Sequence, residues 1–246
     1  MTASSGRFYD PAAAATDRST GFYARWVLRS ASFPVSRLCL AIRSTPNQIT
    51  VVGTALGLLA AGLAVLGGRG ALLAAGGVLH VAKVMDYVDG NLARAYGRKT
   101  WLGKFLDGLS DALVDSAFLA GVGLGVGGAV ALFAVGAAWV STLGLYAKVR
   151  HLYLLGKVRP AEPAEAAPME GEAATVSRAA RLARGVVVVL ERLDHELALP
   201  GFVLAAGVGR VDWWVVGAGS LRLLTGATAV AKATYAGVVT LNLPRG

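Results

Sequence analysis

Residues 86–111 read DYVDGNLARAYGRKTWLGKFLDGLSD, and their acids set the fold problem. Asp86 and Asp89 stand three residues apart, Asp107 and Asp111 four, so each pair shares one face of a helix. Before them, Gly70–Tyr96 is apolar in its first half and then carries Lys83, Asp86, Asp89 and Arg94. After them, the chain passes Asp115 and runs uncharged to Gly121–Gly128, which reads as a Gly-rich turn. The two acidic pairs therefore lie at the ends of two apolar helices joined by the short connection Ala95–Leu102. That connection predicts antiparallel neighbours with these ends together.

Working outward, apolar runs fill the rest. Of 246 residues, 55% are hydrophobic and only 16% charged, with a mean hydropathy of +0.56. A soluble domain averages about 25% charged residues, so the composition is that of a membrane protein. Ile49–Gly68 is a first span of 20 uncharged residues, and Ala129–Ala147 is a fourth that ends at Lys148 and Arg150. A fifth helix runs from Ala179 to Val208 and a sixth from Trp213 to Leu241, where Trp213 and Trp214 suit an interfacial belt. Residues 21–44 mix Phe22, Trp26 and Leu38 with Arg25, Arg29, Arg37 and Arg43, as expected for a helix lying in the membrane interface. Pro34 is placed to break or kink it. The expected fold is all-α and integral to the membrane, with six transmembrane helices and an N-terminal interfacial amphipathic helix. Residues 1–20 form a disordered lead without the apolar core of a signal peptide; 45–246 form the six-helix catalytic domain, with 160–177 as a cytoplasmic linker.

The formal net charge of +9 raises nucleic-acid binding as an alternative. The Lys and Arg residues cluster between apolar runs instead of on a solvated patch, which excludes that reading. They crowd alternate connections (Arg94, Arg98, Lys99, Lys104, then Lys148 to Arg184), so both termini are expected in the cytoplasm, with the protein in the cell membrane. The single Cys39 excludes an internal disulfide and reads as a small apolar residue.

Each Asp deep in a span costs about 2.5–3.5 kcal/mol, so four converging acids need compensation. Their oxygens suit hard divalent cations, Mg²⁺ or Mn²⁺, and four of them can hold two ions roughly 3.5–4 Å apart for phosphoryl transfer. Gly90 and Ala93 leave room beside the first pair, Gly103 clears the facing helix, and Arg94 offers its fork to a diphosphate. Lys83 is expected to pair with Asp86, and Asp115 to hydrogen-bond without ligating. Arg222 and Lys232 either line a polar pocket or pair with the acids of the fifth helix. A metal site at His195 beside Asp194 is disfavoured.

The pattern Asp86-x2-Asp89-Gly90-x2-Ala93-Arg94-x8-Gly103-x3-Asp107-x3-Asp111 resembles the signature of the CDP-alcohol phosphotransferase family, without gap or substitution. The resemblance implies an enzyme that moves a substituted phosphate, phosphatidyl from a CDP-linked lipid donor, to a polar alcohol acceptor and releases CMP in phospholipid biosynthesis. It implies two metal ions, with Asp86 and Asp107 bridging both, Asp89 completing one site, and Asp111 completing the other and serving as general base. It implies nucleotide contacts from Gly90, Ala93, Arg94 and Thr100, with Asn47, Gln48, Ile49 and Thr50 helping to hold the nucleotide, and a homodimer among membrane lipids. Ala112 departs from the Lys or Arg that many members carry after the fourth Asp. Tyr146–Arg150 resembles phosphatidylinositol-phosphate synthases, which makes Lys148 and Arg150 candidates for the acceptor phosphate; as residues alone they read equally as a positive-inside anchor. His151–Gly156 and Glu191–Glu196 depart from that branch, so inositol phosphate, glycerol phosphate and related polyols stay open. A cation transporter with an intramembrane carboxylate site would show inverted repeats and helices broken at midplane, and no such repeat is evident.

Overall fold

A computed structural model describes residues 22–97, 100–158, 189 and 198–241. The lead 1–20, the linker 160–177, the Glu191–Glu196 run and the side chains of Lys148 and Arg150 lie outside what it describes. A π-helical turn, Ala24–Leu28, leads into α1 (Arg29–Ala41); then follow α2 (Pro46–Val65), α3 (Arg69–Ala95), α4 (Trp101–Val126) and α5 (Gly128–Val158). Next come α6 (Ala198–Val208) and α7 (Val211–Leu241). The described residues are all-helical, and five of these helices, α2 to α5 and α7, are long and apolar enough to cross a membrane; α6 is a shorter apolar helix.

Local chemistry explains the boundaries. Thr45 caps α2 in a capping box: Gln48 N–H donates to Thr45 Oγ1 at 3.4 Å, and Thr45 N–H donates to Gln48 Oε1 at 2.9 Å. Pro46 fits the first helical position, where no backbone donor is needed. Thr100 caps α4 by accepting from Gly103 N–H at 3.0 Å. Pro34 does not break α1, which runs through it.

The expected turn at Gly121–Gly128 is mostly helix. Only Gly127 and Gly128, at φ 84° and 57°, make the corner, while Gly121 and Gly125 stay inside α4 because α2 lies against them. A Cβ on Gly121 would sit 2.5 Å from the Ala61 carbonyl oxygen, so the two backbones touch as small residues allow in membranes. The fourth span, Gly128–Ala147, ends where the charges predict, while the helix that carries it continues to Val158, past Lys148 and Arg150.

The largest difference concerns the two acid-bearing helices. They are not packed neighbours: α3 and α4 make at most marginal backbone contact, and α2 packs extensively on both. Two glycines of α2 permit this. A Cβ on Gly53 would lie 3.2 Å from Met85 Cβ of α3, and one on Gly57 would run into the Val114 side chain of α4. The acids thus face each other over a cleft floored by α2.

Behind the cleft sits the apolar core, built from Ala60, Ala64, Ala75, Phe118, Val122, Phe202 and Val215. Trp214, expected in an interfacial belt, instead packs edge-on to Phe118 and Phe202, with centroids 6.2 and 5.1 Å away, and donates its indole N–H to Ala198 O at 2.9 Å. Trp213 stays exposed beneath the Arg210 guanidinium. The N-terminal helix packs on α3 through Leu28, Cys39, Val84, Val88 and Leu92, and Tyr23 hydrogen-bonds His80 at 2.6 Å.

Candidate active site

Helical spacing on α3 and α4 aims the acids into the cleft. Asp86, Asp89 and Asp107 each bring a carboxylate oxygen within 4.8 Å of the other two. Asp89 is buried at 7% exposure, and Thr50 Oγ1 donates to its Oδ2 at 2.5 Å. Thr54 of α2 shares a 2.6 Å hydrogen bond with Ser110 of α4, so α2 braces both walls.

Asp111 lines the same cleft as Asp86 and Asp89 but stands outside the group of three. It is held by Lys83, whose Nζ lies 3.1 Å from Asp111 Oδ1 and 3.1 Å from Asp115 Oδ1. Lys83 was expected to pair with Asp86 one turn along its own helix; it reaches across to α4 instead. Asp115 is also gripped by α7, where Arg222 donates to the Asp115 carbonyl at 2.8 Å and approaches its carboxylate at 3.5 Å. Arg222 therefore pairs with α4, and the acids expected as its partners, Glu191–Glu196, fall outside the described residues.

These residues fit a divalent cation. Three carboxylates this close repel one another unless cations intervene. The nearby ammonium, Lys83, forms its ion pairs with Asp111 and Asp115 instead. An all-oxygen donor set suits a hard ion.

The remaining predicted residues divide. Asn47, Thr100 and Gly103 meet at one mouth of the cleft: a Cβ on Gly103 would lie 3.1 Å from Thr100 Oγ1 and 3.6 Å from Asn47 Oδ1. Arg94 folds back over Gly90, its guanidinium 3.6 Å from where a Cβ would stand. Gln48 closes the capping box, and Ile49 is buried in the cluster against the N-terminal helix. One residue that spacing did not single out is Asn91. It is buried at 3% exposure, accepts from Arg94 Nη2 at 2.7 Å, and donates to Ser32 at 3.1 Å and Ser36 at 2.9 Å. No interval in the sequence pairs it with Ser32 and Ser36, which lie 59 and 55 residues away along the chain.

A second cavity shares Lys83 and Asp86 with the cleft. Leu79, Phe118, Leu199 and Trp214 give it an apolar wall, while Asp115 and Arg222 give it a polar edge.

Fold and site together define a helical membrane protein with an acidic cleft suited to cations and phosphate. The sequence pattern of CDP-alcohol phosphatidyltransferases matches residues 43–182, and the chain belongs to that family. An archaetidylinositol phosphate synthase of Pyrococcus horikoshii is 38% identical over 95 residues, covering 37% of this chain and 49% of that protein. A bifunctional IPC transferase and DIPP synthase of Thermococcus kodakarensis is 39% identical over 100 residues, covering 41% of this chain and 22% of that protein. The matched segments thus span less than half of these curated relatives. The crystal structure of Mycobacterium tuberculosis phosphatidylinositol phosphate synthase with CDP-DAG bound shares the fold at a TM-score of 0.53 and 17% identity, covering 82% of this chain and 92% of that one.

Proposed function

We propose that this chain transfers a phosphatidyl group from CDP-diacylglycerol to a hydroxyl of a polyol phosphate, with inositol phosphate the favoured acceptor, and releases CMP. The observation that carries this reading is the three-carboxylate cluster, set in a cleft that shares Lys83 and Asp86 with a second cavity, one wall of which is apolar. A divalent ion suits the first and the acyl-bearing half of a lipid suits the second. The inositol phosphate acceptor draws support from relatives named archaetidylinositol and phosphatidylinositol phosphate synthases, and the lipid donor from the structural neighbour's bound CDP-DAG.

Asp86, Asp89, Asp107 and Asp111 would hold two Mg²⁺ or Mn²⁺ ions, the first and third acids serving both. When bound, such ions draw charge from the diphosphate and ease the departure of CMP. Arg94 holds the diphosphate in its guanidinium fork, beside the bare backbone at Gly90 and the small Ala93. Asn47, Thr100 and Gly103 receive the nucleotide at the cleft mouth, while Gln48 and Ile49 support the helix end beneath it. Asp111, steadied by Lys83, takes the proton of the acceptor hydroxyl. The hydroxyl oxygen bonds to the phosphorus bearing diacylglycerol, the bond from that phosphorus to the bridging oxygen breaks, and CMP leaves with the electron pair. Lys148 and Arg150 meet the acceptor phosphate.

We further read residues 179–208, which end in α6, as a sixth span, residues 21–44 as an interfacial helix, and 45–246 as the catalytic unit. Both termini then face the cytoplasm of a plasma-membrane homodimer. The test is CMP release from CDP-diacylglycerol by purified protein with Mg²⁺ or Mn²⁺, across inositol phosphate, glycerol phosphate and free polyols. Turnover with inositol phosphate is expected. No CMP with any acceptor would overturn the lipid-donor reading and favour a soluble CDP-polyol.

A further inference from the structure

We infer that the N-terminal helix is part of the donor site: Ser32 and Ser36 orient Asn91, and Asn91 in turn holds Arg94 in place for the diphosphate. The inference rests on the function proposed above and adds positioning residues to it.

Directionality on the page fixes the arrangement. Each serine hydroxyl has already committed its proton to a backbone carbonyl, Ser32 to Arg29 O at 2.7 Å and Ser36 to Ser32 O at 2.7 Å. Their lone pairs are therefore free to accept, and both accept from Asn91 Nδ2. With its nitrogen turned to α1, the carboxamide can only present Oδ1 to Arg94, which donates to it at 2.7 Å. All three residues of the relay are buried, Ser32 and Ser36 completely. A buried amide satisfied at both ends resists reorientation, because any rotation leaves polar groups unpaired. Arg94 is thus held by a neutral partner, Asn91 Oδ1, while its guanidinium lies over the bare backbone of Gly90. A carboxylate at position 91 would offer no N–H to the two serines, and it would also consume the charge that the diphosphate needs.

The paired substitution Ser32→Ala/Ser36→Ala removes both acceptors and leaves the apolar contacts of Leu28 and Cys39 intact. It should raise the donor KM by about tenfold, the effect of loosening one charge-assisted contact, while the acceptor KM stays within about twofold; the unpaired Asn91 amide should also lower the melting midpoint, with or without Arg94 present. Introduced into Arg94→Ala, the same pair should add less than about twofold, since the relay then has nothing to position. Asn91→Asp, similar in size, should also raise the donor KM by about tenfold. An undiminished effect on donor KM in the Arg94→Ala background, or an equal loss in donor KM and acceptor KM, overturns the relay and leaves a purely structural role. Wild-type protein that releases no CMP defeats the proposed function itself; active wild type with indifferent variants defeats only this inference.

Discussion

Thr50→Val isolates one hydrogen bond at the heart of the cleft. Thr50 Oγ1 donates to Asp89 Oδ2 at 2.5 Å, and both side chains are buried, at 8% and 7% exposure. Valine matches the shape but removes the donor, so a buried carboxylate loses its fixed partner. A hydrogen bond to a charged group contributes about 1.5–3 kcal/mol, which corresponds to roughly ten- to hundredfold in an equilibrium constant. Loss of a group that orients a metal ligand costs about the same factor in metal affinity. The assay is Mn²⁺ titration of detergent-solubilised protein without nucleotide, followed by free-ion paramagnetic resonance. Thr50→Val should bind Mn²⁺ roughly ten- to hundredfold more weakly, and Thr50→Ser should restore most of the loss. Affinity within about twofold of wild type in Thr50→Val would refute the reasoning, since it would mean that Asp89 needs no orientation to bind the ion.

Three further outcomes are expected. Asp111→Asn should lower kcat by about 10²–10⁴ while Mn²⁺ still binds at the cluster of three, measured by CMP release alongside the titration. Lys83→Met leaves Asp111 and Asp115 without their shared ammonium and should destabilise the fold by about 1–3 kcal/mol, less than a fully buried pair because both acids are partly exposed, read as a lower melting midpoint. Gly57→Val drives a side chain into Val114 and should cost about 1–3 kcal/mol, with activity falling in the same variant because the two acidic walls move.

Much of the site was legible because helical periodicity is a property of one chain segment. The intervals among Asp86, Asp89, Asp107 and Asp111 gave the shared faces, and the apolar runs gave the five helices long enough to cross a membrane. What one helix presents to another depends on rotation and translation between them, which no interval encodes. So Lys83 reads as a partner for Asp86 by spacing but reaches Asp111 and Asp115 across the cleft. The short connection between α3 and α4 likewise suggested direct packing, yet the glycines of α2 allow that helix to come between them. The glycines at 121–125 looked like a turn because composition does not separate a flexible corner from a close helix crossing. Trp214 next to Trp213 suggested a belt; on a helix, adjacent residues point about 100° apart, and only Trp213 is left exposed.

Because α2 carries none of the four acids yet floors the gap between the helices that do, it acts as a spacer whose thickness sets the bite of the opposing carboxylates. A side chain gained at Gly53 or Gly57 would push one wall away from α2 and change the spacing of the facing carboxylates, while every carboxylate stayed the same. The geometry of the acidic cluster can then drift through residues that carry no carboxylate.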